Sequence, residues 1–198
     1  GQFQKEIIIK SIDQESSIKL NLLKKDNIRL REILSLQQLS NDNYISAAVI
    51  SRKTGGWWRQ IILNKGSRDG VKIGSIVNGP GGLLGRVNNT SLFTSSVTLL
   101  TSPESKLGVW VDRSQMNGLL VGSGDDHPNL ILYSKDADIK VGDSISSSPA
   151  SSLLPPNIPI GIVQSIDDTL QSKKTAKISL LAKPHVIDWV QILTVNFK

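Results

Sequence analysis

The sequence predicts a mainly β protein, with an N-terminal coiled-coil helix followed by two small β-barrels. Three observations carry this reading. Before about residue 40, apolar residues recur at helical spacing. After it, short Ile, Val and Leu runs alternate with turn residues. A pair of motifs in the first half of that β region then returns in the second half.

Residues 5–39 read as one helix. No Pro or Gly falls between Gln2 and Leu39, and Leu, Ile, Lys, Glu and Gln dominate. All of these but Ile are strong helix formers. With Leu20 at heptad position a, Leu23 falls at d, Asn27 at a, Leu30 at d and Leu34 at a. A leucine seam with one Asn at an a position favours parallel two-stranded pairing, because the two amides can bond across the axis. Leu20, Leu23, Asn27, Leu30 and Leu34 are therefore the expected dimer seam. The competing reading, an amphipathic helix packed on its own domain, accounts less well for the charge of the other face at Lys24, Lys25, Arg29, Arg31 and Glu32. Upstream, Asp13 at a and Ser16 at d weaken the seam, so fraying or support by an anchor or partner is expected there. Ser40-Asn41-Asp42-Asn43 is a turn cluster that ends the helix.

Strands are expected at Ile45–Ser51, Trp58–Leu63, Ser75–Val77, Leu83–Asn88, Ser96–Leu100, Leu107–Asp112 and Gly118–Val121, then at Leu130–Tyr133, Asp143–Ser146, Gly161–Ile166, Thr175–Leu181 and Trp189–Phe197. Turn residues such as Gly55-Gly56, Asp69-Gly70 and Asn88-Asn89 separate them, which is the pattern of a barrel or sandwich. Val71-Lys72-Ile73-Gly74-Ser75-Ile76 resembles Ile139-Lys140-Val141-Gly142-Asp143-Ser144-Ile145. Gly82-Leu83-Leu84-Gly85-Arg86-Val87 likewise resembles Ile158-Pro159-Ile160-Gly161-Ile162-Val163. The glycines are expected at bulges or corners where a small barrel closes. The domains expected are a stalk over 1–40, a first barrel over 41–112 and a second over 113–198. Return of the C-terminal strands to the first barrel is left open.

Composition narrows the chemistry. The 198 residues contain no Cys, so a disulfide framework and thiolate metal sites are excluded. No apolar run approaches the ~20 residues needed to cross a bilayer. The chain opens at Gly1-Gln2 without an initiator Met or a signal-peptide pattern, so an upstream segment is expected. The net charge of +6 comes without a dense Lys/Arg block, which favours an ordinary basic surface over a nucleic-acid site. His127 sits in the polar loop Asp125-Asp126-His127-Pro128, and His185 follows Lys183-Pro184. Nothing brings either within reach of a nucleophile. Gly142-Asp143-Ser144 falls inside the repeat and reads as a turn. No catalytic residue, metal ligand or cofactor is expected.

Gly55-Gly56-Trp57-Trp58-Arg59 is the most unusual surface candidate. Adjacent strand residues point to opposite faces, so one ring is expected outside. Trp57, Trp58 and Arg59 form the expected partner-binding surface. In an alternative reading they would make a basic barrel that stacks nucleic acid or glycan.

The order of motifs has a resemblance. It runs through Asp26-Asn27-Ile28-Arg29-Leu30-Arg31-Glu32-Ile33-Leu34, Ala47-Ala48-Val49-Ile50 and Trp58-Arg59-Gln60-Ile61-Ile62-Leu63-Asn64-Lys65-Gly66. Asp69-Gly70-Val71-Lys72-Ile73-Gly74, Gly82-Leu83-Leu84-Gly85-Arg86-Val87 and Val97-Thr98-Leu99-Leu100-Thr101 follow. Val141-Gly142-Asp143 and Leu154-Pro155-Pro156-Asn157-Ile158-Pro159-Ile160-Gly161-Ile162-Val163 complete it. In that order and over nearly the whole chain, these resemble the MreC family of bacterial rod shape-determining proteins. The resemblance implies a single-pass anchor in the cytoplasmic membrane through an N-terminal helix absent from this chain. It also implies a dimerising coiled coil and two extracytoplasmic (periplasmic) barrels in a trypsin-like arrangement without catalytic residues. The implied role is a non-enzymatic scaffold of the cell-elongation machinery that builds lateral peptidoglycan. The implied partners are a penicillin-binding transpeptidase, MreD and the MreB/RodZ system, with homodimers or higher assemblies and no nucleic acid.

Overall fold

The computed structural model describes residues 1–33, 44–57 and 59–194, with the side chains of 29–33 outside that set. The chain divides into two compact units, Gly1–Asp42 and Asn43–Lys198.

The first unit contains helix α1, Gln2–Ile33. It runs without a break through residues 5–16, where the weak seam predicted fraying. Breaker-free sequence sustains it there, with local help from a Glu15–Lys19 ion pair one turn apart at 2.7 Å. The expected continuation through residues 34–39 lies outside the described residues.

The second unit is built from β1 (Tyr44–Lys53), β2 (Gln60–Leu63), β3 (Ile76–Gly79), β4 (Gly82–Thr90), β5 (Ser95–Leu99) and β6 (Lys106–Val111), followed by β7 (Asn117–Val121), β8 (Asn129–Leu132), β9 (Ser144–Ser147), β10 (Pro159–Asp167), β11 (Lys174–Leu180) and β12 (Trp189–Leu193). They close two six-stranded antiparallel barrels, in ring order β1-β12-β3-β4-β5-β2 and β10-β11-β8-β7-β6-β9. Inward and outward residues alternate where the ladders are regular, as in β2, β5, β6 and β8. In β5, Ser95, Val97 and Leu99 are buried while Ser96 and Thr98 are less so.

The two rings have the same order once β12 is matched with β6 and β1–β5 with β7–β11. The first barrel is thus a circular permutation of the second: the strand that would open it comes from the end of the chain. Residue 112 is accordingly not the crossing point. The chain passes between barrels over residues 100–105, because β6 pairs with β7 and β9 of the second barrel. Strand β12 lies between β1 and β3.

The repeat is literal at atomic level. Gly74 N donates to Val87 O at 2.8 Å, and Gly142 N donates to Val163 O at 2.9 Å. Lys72 N donates to Ser75 Oγ at 3.1 Å, and Lys140 N donates to Asp143 Oδ2 at 2.8 Å. The register of β4 shifts around Leu84 and Asn88, and that of β10 shifts at the matching Ile160 and Gln164. The bulges therefore flank Gly85 and Gly161 rather than contain them. These two glycines are needed for close approach: a Cβ on Gly85 would lie 2.1 Å from Thr98 O, and one on Gly161 would lie 2.6 Å from Ser179 O.

The barrels are not independent. Ile76, Leu83 and Leu100 from the first pack in one apolar cluster with the interior of the second, including Ile160, Val163 and Leu180. The rest of the first barrel, around Ile61, Val77, Val97 and Ile192, forms a second cluster.

On the second barrel, Arg113 clamps the β8–β9 connection. Its guanidinium donates to Asp138 at 2.7 and 2.9 Å and to Asp143 at 2.9 Å through both oxygens. These bonds hold both carboxyls below the usual carboxylate range.

Two expectations follow from this geometry. Gly85→Ala and Gly161→Ala should each cost about 2–4 kcal/mol, a fall in Tm of several degrees, because backbone oxygens on the neighbouring strand must move. Gly55→Ala, where a Cβ meets nothing within 4 Å, should be near neutral, and calorimetry compares the three. The Asp138 and Asp143 carboxyls have depressed folded pKa values. Their contribution is therefore present above the unfolded value of about 3.9 and is lost as pH falls through the lower folded values. Arg113→Met should thus be less stable than the parent at neutral pH, with the gap closing below about pH 4. Urea melts at a series of pH values measure it, and a gap constant down to acid pH would contradict this account.

Candidate partner-binding surfaces

Of the three residues expected to form a surface, Trp57 and Arg59 face the second barrel from the β1–β2 connection, and Trp58 lies outside the described residues. Trp57 is 65% exposed. A Cβ on Gly124, in the β7–β8 loop, would meet its ring at 3.6 Å, so one edge of the indole covers that glycine. The Arg59 side chain is only 10% exposed, and its Nη1 donates to Asp126 Oδ1 at 2.7 Å. That bond is the leading cause holding the Asp126 carboxyl below its usual value. The Arg59 Nε is buried without a partner among the described residues. The Arg59 carbonyl accepts from Leu99 N at 3.1 Å. Arg59 therefore ties the barrels together and does not offer a phosphate or sugar a solvated cation. Trp57 keeps an exposed ring.

His127 and the Gly142-Asp143-Ser144 segment serve turns. His127 N donates to Asp125 Oδ1 at 2.8 Å, and Ser123 Oγ donates to His127 O at 2.9 Å. Asp143 accepts from Arg113 and from Lys140 N, while Ser144 Oγ donates to Asp112 Oδ2 at 2.5 Å. Gly142-Asp143-Ser144 thus does the work of Gly74-Ser75 in the first barrel. His185 lies in the β11–β12 connection, between Leu180 and Trp189.

Within α1, Leu20 is 53% and Leu23 66% exposed, and Asn27 is exposed too. The Leu30 side chain and Leu34 lie outside the described residues.

Sequence reasoning missed Trp189. It was expected as the start of a strand, yet its ring is 63% exposed. Ser46, Asn78, Pro80, Val190 and Gln191 surround a depression of about 380 Å³ beside it. A neighbouring depression of about 340 Å³ is lined by Leu181, Val186 and Ile187 and shares Pro80 and Trp189. The signal was present in the sequence. In Trp189-Val190-Gln191-Ile192 a period of two with Val and Ile inward puts the indole outward, as observed.

Comparison with known proteins places these surfaces in context. The family model for the rod shape-determining protein MreC, barrel core, matches residues 49–194. The cell shape-determining protein MreC of Listeria monocytogenes is 32% identical over 178 residues, which are 86% of this chain and 60% of that protein. That of Caulobacter vibrioides is 29% identical over 172 residues, 86% of this chain and 48% of that protein. This chain thus spans between about half and three fifths of those relatives' lengths. The Listeria MreC structure superposes with a TM-score of 0.81 at 29% identity, covering 94% of this chain and 91% of that one. Two more distant structures share the fold. The major periplasmic domain of the cell shape-determining filament MreC has a TM-score of 0.64 at 23% identity and covers 75% of this chain and 93% of that one. A Helicobacter pylori complex between penicillin-binding protein PBP2 and MreC has a TM-score of 0.61 at 15% identity, covering 77% of this chain and 98% of that one.

If Arg59 is a tie between barrels, Arg59→Met should lower stability by about 1–3 kcal/mol, since it leaves Asp126 without its partner and opens a gap at the joint. A denaturant melt with an unchanged midpoint would return Arg59 to the role of a surface residue.

Proposed function

The chain belongs to the MreC family of rod shape-determining proteins, and from that premise we propose that it is a non-enzymatic scaffold of lateral wall synthesis. One observation carries the reading most directly: the family match spans both barrels, and the barrels present exposed aromatic and apolar side chains around Trp189. The partner class proposed is a penicillin-binding transpeptidase. The Helicobacter pylori complex of PBP2 with MreC supports that choice. The Trp189 surface is the proposed contact, because a large ring beside a depression is the usual form of an interface anchor. Trp57 would sit at a second contact.

We extend the proposal to self-association. Leu20 and Leu23 are exposed on α1, and pairing with a second copy through Leu20, Leu23, Asn27, Leu30 and Leu34 would remove that apolar surface from water. The domain layout proposed is a stalk over 1–40 and two barrels in the remainder. A site outside the cytoplasmic membrane is supported by the relative described as a major periplasmic domain. Anchoring by a helix upstream of Gly1, and cooperation with MreD and the MreB/RodZ system, complete the proposal by family analogy.

Sedimentation equilibrium tests the pairing: the chain should form dimers, Leu20→Glu with Leu23→Glu should yield monomers, and Asn27→Leu should raise stability while relaxing oligomer choice. A chain that stays monomeric at high micromolar concentration would sink the seam. Surface plasmon resonance against the extracytoplasmic part of a penicillin-binding transpeptidase tests the docking face. Trp189→Ala should weaken binding by roughly tenfold or more; equal affinity would move the contact elsewhere.

A further inference from the structure

A groove of about 340 Å³ crosses the joint between the barrels on the side of β4 and β5. Ile73, Arg86 and Thr98 line it from the first barrel, and Glu104, Lys106 and Leu107 line it from the crossing segment and β6. Arg86 is the unusual residue. Five arginines have described side chains, and four are engaged. Arg52 pairs with Asp188, Arg59 with Asp126, and Arg113 with Asp138 and Asp143, while Arg68 lies 5.7 Å from the Phe93 ring centroid. Arg86 has no hydrogen bond or ion pair among the described residues. Its Nε is buried without an acceptor, and burial alone pushes its guanidinium below the usual arginine value.

The fold does not require a cation at this position. The internal repeat supplies the control: the residue matching Arg86, between Gly161 and Val163 in β10, is Ile162, which is 40% exposed. Desolvating a guanidinium without an anion works against folding. The first barrel carries that load where the second carries an isoleucine.

We propose that the groove between the barrels binds a peptide carboxylate through Arg86. A planar guanidinium matches a carboxylate in bidentate geometry. The exposed Ile73 side chain offers an apolar wall that suits the carbon skeleton behind it. Glu104 and Lys106 set the charge: two cations against one carboxylate leave the groove with one net positive charge. A monoanion balances it, whereas a phosphate dianion would meet Glu104. The carboxylate is either a chain terminus or an acidic side chain. This inference stands apart from the scaffold reading, since it concerns a different face from Trp189.

The test is an NMR titration of the whole chain at low salt, following backbone amides of Gly74, Arg86, Ser105 and Lys106. N-acetyl-Ala-Ala presents a terminal carboxylate, N-acetyl-glutamic acid α-amide presents a side-chain one, and N-acetyl-Ala-Ala-amide presents none. At least one acid should give saturable shifts at these amides, the amide should give none, and the stronger acid identifies the source. Arg86→Gln and Arg86→Lys should each weaken binding by roughly tenfold or more, Lys because it lacks the fork, while Tm stays the same or rises. Saturation by neither acid, equal shifts with the amide, tighter binding of inorganic phosphate, or undiminished binding in Arg86→Lys would each overturn the proposal.

Discussion

Ile76, Leu83 and Leu100 come from the first half of the β region, yet they are buried in the same apolar cluster as Ile160, Val163 and Leu180 of the second barrel. That shared cluster is the constraint on which the rest of the body depends. A six-stranded barrel of this size encloses few side chains, and small domains bury too little apolar surface to be robust alone. Joining the two interiors enlarges the buried volume. The backbone comes close enough at the joint that a Cβ on Gly82 would lie 2.2 Å from Pro159 O. The Arg59–Asp126 pair and the Trp57 edge over Gly124 then close the rim of the same joint. The groove beside Arg86 exists because the joint holds two curved surfaces side by side.

The permuted strand order strengthens this coupling. Strand β12 pairs with both β1 and β3, so Tyr44 lies opposite Leu193. The first barrel cannot close until the chain has run through the whole of the second. Such long-range closure carries a loop-entropy cost that local contacts do not offset. In return, the first barrel is bounded by a strand that the second barrel's path delivers.

Closure also governs how the protein can meet a partner. A closed ring offers no unpaired strand edge, so neither barrel can extend its own sheet into another protein. Contacts must come from side chains on the outer faces and at the ends. That is where Trp57, Trp189 and the Arg86 groove lie.

By itself the sequence determined what depends on local periodicity. The expected strands each overlap an observed one, since alternating Ile, Val and Leu can be buried on one face only if the segment is extended. The matching turns at Gly74 and Gly142 were legible because both need the same backbone and carry the same glycine. Trp189 was legible in principle through the alternation of its neighbours. The tertiary structure alone decided which strand closes which barrel, and hence that the crossing falls at 100–105 and not at 112. It alone turned Arg59 from an expected contact into a tie and left Arg86 without a hydrogen-bond or ion-pair partner among the described residues. The physical reason is common to all of these. Turn geometry and alternation are properties of a few adjacent residues, whereas strand neighbours and charge partners lie dozens of residues apart and are set by how two closed surfaces pack.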